Sequence, residues 1–206
     1  MRVESLKIGA SGIVRLRMDG GSAFSFRQDH LPPGLGSLPD EGGEAGSEIL
    51  AAVQAASAIH LAELLALRLL ARSEQTRWLL TLKLRGRGFT DEAASPALDR
   101  LERLGILSDE RYARAWASQR ARLRGDGPGR VAAGLAARGV EEVLARRICG
   151  EVFSGSERAL ALMQAVRRLR RSGRNSVKAA ERRLRAEGWR SFEVRAALDS
   201  FRDERD

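Results

Sequence analysis

Leu84-Arg85-Gly86-Arg87-Gly88-Phe89 is the stretch that decides the fold, because it returns twice. It returns as Leu135-Ala136-Ala137-Arg138-Gly139-Val140 and again as Leu184-Arg185-Ala186-Glu187-Gly188-Trp189. Each copy has Leu, three mostly basic or small residues, Gly, and a large or branched apolar residue. The glycines are 51 and 49 positions apart, and ten residues after each comes a further apolar anchor, Leu98, Cys149 or Leu198. A period of this size marks stacked supersecondary units, which build extended surfaces more often than pockets.

Start and stop signals around the phrase divide the chain into short helices. Ser73 is expected to open a helix that Gly86 and Gly88 close. Thr90-Asp91-Glu92 supplies a cap hydroxyl and first-turn acids for the next, which Gly105 ends. Ser108-Asp109-Glu110 starts another, and Gly125 and Gly127 break the chain before Pro128, a residue suited to a first turn. Glu141-Glu142 begins the helix after Gly139, and Ser191 is expected to cap the last. The helices predicted are 48–72, 74–87 and 90–104, then 108–123, 128–138 and 141–152, then 156–171, 175–187 and 191–204. The phrase is then the end of each second helix, with Gly in a left-handed conformation and Leu84, Leu135 and Leu184 as matching core contacts.

The first 46 residues differ. Residues 2–27 alternate apolar and polar in runs separated by Gly9, Gly12 and Asp19-Gly20-Gly21, which predicts three short antiparallel strands with a glycine hairpin turn. Residues 28–46 hold three of the five prolines and five glycines and read as a loop or linker. The fold class is mainly α: tandem three-helix repeats in an elongated, curved array, with a small N-terminal antiparallel β element. The expected boundaries are 1–46 for that element and its linker, then 47–105, 106–153 and 154–206 for the repeats. No repeat is long enough to be comfortable alone, so neighbours are expected to pack on one another.

The chain has 206 residues, 43% of them hydrophobic, which suffices for a core. Its single cysteine, Cys149, excludes an internal disulfide or a cysteine metal cage and occupies an apolar repeat position, so it is expected in the core. The N-terminal Met-Arg-Val-Glu-Ser lacks the apolar run of a signal peptide, and a cytoplasmic location is expected. Ile49–Leu70 carries Gln54, His60, Glu63 and Arg68 and reads as an amphipathic helix with Leu61, Leu64, Leu65 and Leu69 at helical spacing, not as a membrane span.

The net charge of +9 is unevenly placed: residues 1–60 sum to −2 and residues 61–206 to +11. Such asymmetry points the second part toward a polyanion. Arg outnumbers Lys 33 to 3, so the position of the surplus says more than the preference for Arg. One cluster is Arg111, Arg114, Arg120, Arg122, Arg124 and Arg130, where Arg120, Arg122 and Arg124 form a ridge running into a glycine break read as a mobile joint. The other is Arg167, Arg168, Arg170, Arg171, Arg174 and Lys178, followed by Arg182, Arg183 and Arg185. These can neutralise phosphates or pair with carboxylates of a partner.

No catalytic constellation stands out. There is no His-Glu-x-x-His, no phosphate-binding Gly-Lys-Ser/Thr, and neither Gly86-Arg87-Gly88 nor Gly125-Asp126-Gly127 has the context of a nucleotide fingerprint. His30 falls in the linker and His60 reads as a helix-face residue without a ligand role. Trp78, Trp116 and Trp189 share no repeat position and are read as core packing, not base stacking. No catalytic residue, metal or cofactor is expected.

Several of these pieces, in order, resemble the RecX family of regulators of bacterial recombination. They are Ala66-Leu67-Arg68-Leu69-Leu70-Ala71-Arg72-Ser73, Lys83 through Phe89, Leu101–Leu104, Leu107-Ser108-Asp109-Glu110-Arg111-Tyr112-Ala113, Gly127-Pro128-Gly129-Arg130 and Arg138-Gly139-Val140. The resemblance runs from about residue 60 to 150. It covers the last third weakly and the first 45 residues by general plan. It implies tandem three-helix repeats, as the spacing also predicts. It further implies a protein that binds RecA filaments in their helical groove and restrains ATP hydrolysis and strand exchange, in DNA repair and the SOS response. The implied partners are the RecA filament and, weakly and without sequence preference, single- and double-stranded DNA. A monomer without membrane attachment is expected. The sequence departs from the family pattern at Asp126, at Gly134 and at Glu187, which replaces the basic residue before Gly in the other copies. An alternative is a helical-repeat protein that binds DNA independently of RecA. Against sequence-specific readout, residues 93–104 and 193–201 offer Ala and Leu and few Asn or Gln.

Overall fold

The computed structural model describes residues 1–171 and 177–203, without the side chains of 170 and 200–203. It divides into two compact units, Met1–Leu107 and Ser108–Asp206.

In the N-terminal unit, β1 (Val3–Ile8), β2 (Ile13–Met18) and β3 (Ala23–Arg27) form an antiparallel sheet in the order β1-β2-β3. The alternation in β2 shows why: Val14, Leu16 and Met18 are buried while Arg15 and Arg17 are exposed. Gly20 and Gly21, both at φ 87°, turn the hairpin between β2 and β3, and the Met18 N–H donates to the Ser22 carbonyl at 2.8 Å. Residues 28–46 are more than a linker. The Val3 N–H donates to Gly43 O at 2.9 Å and the Gly42 N–H to Val3 O at 2.8 Å, so this segment covers part of the outer edge of β1.

Three helices complete this unit: α1 (Ser47–Leu70), α2 (Arg77–Arg85) and α3 (Asp91–Arg103). By length and composition, α1 is apolar enough to cross a membrane. Here Val53 and Ala56 pack on the sheet, and Ala62 and Ala66 join Leu80, Leu84, Leu98 and Leu101 in a second cluster. The leucine face expected for α1 is corrected: Leu61 and Leu64 are exposed, and the buried face is mostly alanine. Small side chains let α1 approach the sheet and α3 closely, so the alanine side makes the core.

In the C-terminal unit, α4 (Asp109–Gln119) continues as a π-helical turn over Arg120–Arg124. It is followed by α5 (Pro128–Ala136), α6 (Glu142–Val152), α7 (Gly155–Arg171), α8 (Val177–Ala186) and α9 (Ser191–Asp203). One core serves these helices, from Ala113 and Ala117 of α4 to Leu184 and Val194 of α8 and α9. The second and third repeats therefore share a core, while the first packs with the sheet. Cys149 lies in the shared core, and burial raises its thiol pKa.

The repeated phrase is a Schellman cap in all three copies. Gly88, Gly139 and Gly188 have φ of 84°, 75° and 90°. The N–H of Phe89, Val140 and Trp189 donates to the carbonyl of Leu84, Leu135 and Leu184, each at 3.2 Å. The glycine N–H groups donate to Arg85, Ala136 and Arg185. This is the paired bond pattern of the motif, and the apolar residue after Gly closes back on the buried leucine.

Three cap assignments are corrected. Thr76, not Ser73, caps α2, accepting from the Leu79 N–H at 3.1 Å. Thr90 stands at the N-cap of α3 without a hydroxyl cap bond. Ser191 is the first residue of α9, and Glu193 accepts from the Arg190 N–H at 3.1 Å, the carboxylate half of a capping box. Ser108 does cap α4, accepting from the Arg111 N–H at 3.2 Å.

Candidate polyanion interface

The π-helical turn that ends α4 carries Arg120, Arg122 and Arg124 into Gly125-Asp126-Gly127. That loop is pinned, not a mobile joint. The Gly127 N–H donates to Glu187 O at 2.7 Å, and the Trp189 indole N–H donates to Gly125 O at 3.0 Å. Glycine is required for so close an approach. A Cβ on Gly127 would stand 2.5 Å from the Gly188 carbonyl carbon, and one on Gly125 would stand 2.8 Å from the Ala165 Cβ. The third copy of the phrase thus seats its turn on the glycine loop of the second repeat. Gly127→Ala is expected to destabilise this unit by about 2 kcal/mol through backbone overlap and a strained hydrogen bond, measured as a lowered denaturation midpoint.

This docking brings the two basic clusters of the sequence together. Arg122 and Arg124 from the turn, and Arg167, Arg168 and Arg171 from α7, line one concavity with Gln164, and none of the described residues lining it is acidic. A second concavity is lined by Arg120, Arg124, Arg130, Arg168 and Arg183, around Asp126 and Glu187. Both of these carboxylates are buried, at 4% and 2% exposure. Asp126 lies 2.5 Å from Arg120 Nε and 3.7 Å from Arg130 Nε. Glu187 takes Arg168 at 3.0 Å and Arg183 at 3.1 Å. The two departures from the family pattern are therefore anchors: each buried carboxylate holds two guanidinium groups and limits their rotamers. Arg124 and Arg168 belong to both concavities.

The candidate cations divide by what they touch. Arg122, Arg124, Arg167, Arg171, Lys178, Arg182 and Arg185 are exposed, and no ion pair is recorded for them among the described residues. Arg120, Arg130, Arg168 and Arg183 are held by the buried acids. Arg114 belongs to an exposed ion-pair network: it pairs with Glu110 at 3.2 Å and Glu151 at 2.7 Å, and Arg147 bridges the same two acids, tying α4 to α6. Arg111 is exposed in the first turn of α4. The Arg170 side chain and all of Arg174 lie outside the described residues.

The tryptophans fall into three environments. Trp189 is buried and meets Phe153 edge-on at 5.9 Å. Trp116 is half-buried, with the Arg138 guanidinium 4.6 Å and that of Arg120 5.3 Å from its ring centroid. Gly134 makes room for it, since a Cβ there would overlap the indole, which explains a glycine inside α5. Trp78 is 44% exposed, so its expected core placement is corrected.

The N-terminal unit holds a buried cluster that the sequence did not reveal. His30, from a short 3-10 turn after β3, and His60 and Glu63, from α1, place ligand-type atoms within 4.8 Å of one another. His30 lies in the 28–46 segment and His60 on α1, as the sequence places them, and what the sequence does not show is that both side chains are about 95% buried. The Glu63 carboxylate accepts from Arg27 Nε with both oxygens at 3.1 Å, and Arg100 Nε stands at 3.5 Å. With two guanidinium groups on it, Glu63 is an ionic rivet joining β3, α1 and α3. Partners 36 and 37 residues away leave no local signature; the spacing of His60 and Glu63 on one helical face is the sole hint.

Burial pushes the pKa of both imidazoles below the ordinary value of 6.5, against the pull of Glu63. Well above pH 6.5 both are neutral in the folded and the unfolded chain. Below it the unfolded chain takes up protons first, so stability falls as the pH drops from 6.5 toward the folded pKa values. Urea denaturation at pH 7.5 and 5.5 is expected to show the loss, and His30→Asn/His60→Asn to flatten it.

Comparison with known proteins places the repeats. A family model described as the first three-helix domain of RecX matches residues 62–101, and one for the second three-helix domain matches residues 108–147. The regulatory protein RecX of Thermus thermophilus is 40% identical over 137 residues, 66% of this chain and 87% of that protein. The chain belongs to the RecX family. The RecX of Pseudomonas fluorescens is 47% identical over 88 residues, and the match spans 56% of that protein, a little over half. A RecX crystal structure overlays with a TM-score of 0.76 at 20% identity, covering 96% of this chain and 98% of the other. The RecX of Lactobacillus salivarius gives 0.62 at 16%, covering 69% and 96%. These two establish the RecX fold. Both family models cover helices of the first and second repeats, whereas the arginine concavities draw in α7 and α8 of the third.

Proposed function

We propose that this RecX-family regulatory protein is a negative, non-enzymatic regulator of RecA that binds the RecA–DNA filament and restrains its ATP hydrolysis and strand exchange. The observation that carries this reading is the concavity of Arg122, Arg124, Arg167, Arg168 and Arg171 without an acidic neighbour among its described lining. Arg168 is held by Glu187, and the other four guanidinium groups, with no ion pair among the described residues, repel one another in a small space, a repulsion that a polyanion relieves. Arg168, oriented by Glu187, offers its remaining donors in a fixed direction, as bidentate recognition of phosphate or carboxylate requires. The exposed arginines add contacts that steer and tighten association.

A nucleoprotein filament presents both chemistries, DNA phosphates and protein carboxylates, at a regular spacing. A chain bridging neighbouring protomers opposes the rearrangement that accompanies turnover, and it acts without chemistry of its own. The filament forms in the cytoplasm, and this chain acts there. Co-sedimentation tests the reading: the chain is expected to pellet with RecA–DNA filaments far more than with RecA or DNA alone. Equal retention on bare DNA would instead favour a DNA-binding protein independent of RecA.

A further inference from the structure

We propose that the outer face of the N-terminal sheet is a second binding surface, for the phosphate backbone of a DNA strand. It lies in a different unit from the arginine concavities and is built from different residues.

Lys7, Arg15 and Arg17 are all exposed on this face. The register sets Lys7 of β1 directly opposite Arg15 of β2, with Arg17 two residues along β2. Like charges opposite one another in an antiparallel pair destabilise a sheet, and a neighbouring acid would normally offset the cost. Here none of the three has an ion pair among the described residues. The contrast with the other basic residues of this segment is direct. Residues 1–60 contain five Lys and Arg side chains, and the remaining two, Arg2 and Arg27, pair with Glu44 and Glu63. Although the segment is net acidic, none of its seven acids lines the depression around Lys7, Arg15 and Arg17.

The surroundings favour phosphate over a protein partner. Ser5 stands opposite Arg17, Ser25 opposite Arg15 and Ala23 opposite Arg17. Leu16 and Phe24 also line the depression, but both belong to the core cluster on the opposite face of the sheet, so the side chains paired with the cations on the outer face are hydroxyls and a methyl, not the large apolar anchor that protein interfaces centre on. Serine hydroxyls donate readily to phosphate oxygens. Residues two apart on a strand are separated by about 6.7 Å and neighbouring strands by about 4.8 Å, so the three cations present a close-set triangle to a closely charged backbone.

The test uses the full chain and a fluorescently labelled single-stranded oligonucleotide, with anisotropy titrations across a salt series. Lys7→Gln/Arg15→Gln/Arg17→Gln is expected to weaken binding and to lower the slope of log K against log salt by about 2, near 0.7 for each lost phosphate contact. Its circular dichroism is expected to match the parent, with a low-salt melting temperature equal or higher because the repulsion is gone. An unchanged slope, or no binding by the parent chain at low salt, overturns the proposal. So does a variant that loses affinity for the RecA–DNA filament while keeping it for free DNA, since the face then touches protein. The regulator reading is judged separately: a chain that restrains RecA while the sheet variant keeps its slope leaves that reading standing and removes this one.

Discussion

Changing Arg122, Arg124, Arg167 and Arg171 together to Gln lowers affinity for the RecA–DNA filament by about 100-fold at moderate salt and flattens its salt dependence by about 3 to 4 units. The four are exposed, come from two elements and line one concavity without an acidic neighbour among the described residues. They are chosen because their removal should leave the fold alone. Arg120 is left in place: it lies against buried Asp126 and over Trp116, and its loss would orphan a buried carboxylate. Binding measured by co-sedimentation at low and at moderate salt, beside thermal denaturation, separates the two effects. An equal loss of affinity at both salts, or a fallen melting temperature, would show that these arginines support the fold instead of binding an anion.

Glu63→Ala is expected to cost the N-terminal unit about 3 kcal/mol, toward the lower end for breaking a buried ion pair, because both guanidinium groups keep some exposure. Arg27 and Arg100 would lose their shared carboxylate, and the ties from β3 and α3 to α1 would go with it. His30 and His60 would lose the negative charge that partly offsets their burial, so their pKa values would fall further. Glu63→Gln keeps the shape and one acceptor and should fall between the two. Urea denaturation of the three proteins checks the order. Equal midpoints would mean that the cluster contributes nothing to stability.

The architecture was legible in the sequence where a local rule dictates geometry. A Schellman turn needs Gly at a left-handed position, a leucine five residues before the closing apolar residue, and nothing else, so three copies could be seen in the letters alone. The glycine hairpin and the alternation of β2 are of the same kind. Caps were less legible because hydroxyls at 73, 76, 90 and 191 compete on similar terms, and tertiary packing decides which one ends up at the boundary. The buried face of α1 was misread for a related reason. Helical periodicity identifies a helix, but apolar residues occupy most sides of α1, and close packing selected the alanines over Leu61 and Leu64.

At the candidate interface the residue types were legible and their grouping was not. Arg122 and Arg167 are 45 positions apart and meet because Gly125 lets α7 approach the loop at Ala165. In the sequence Asp126 and Glu187 stand out only as acids where the family pattern differs. Their burial converts them into supports that hold Arg120, Arg130, Arg168 and Arg183 in place. Sequence gives the sign of a charge; burial decides whether it adds to a surface or organises it.

The most direct test is RecA's DNA-dependent ATP hydrolysis, followed as this chain is added up to stoichiometric excess in low salt. A filament-binding regulator suppresses hydrolysis progressively, and hydrolysis recovers when Arg122, Arg124, Arg167 and Arg171 are replaced by Gln. Undiminished hydrolysis with the parent chain in excess would contradict that role.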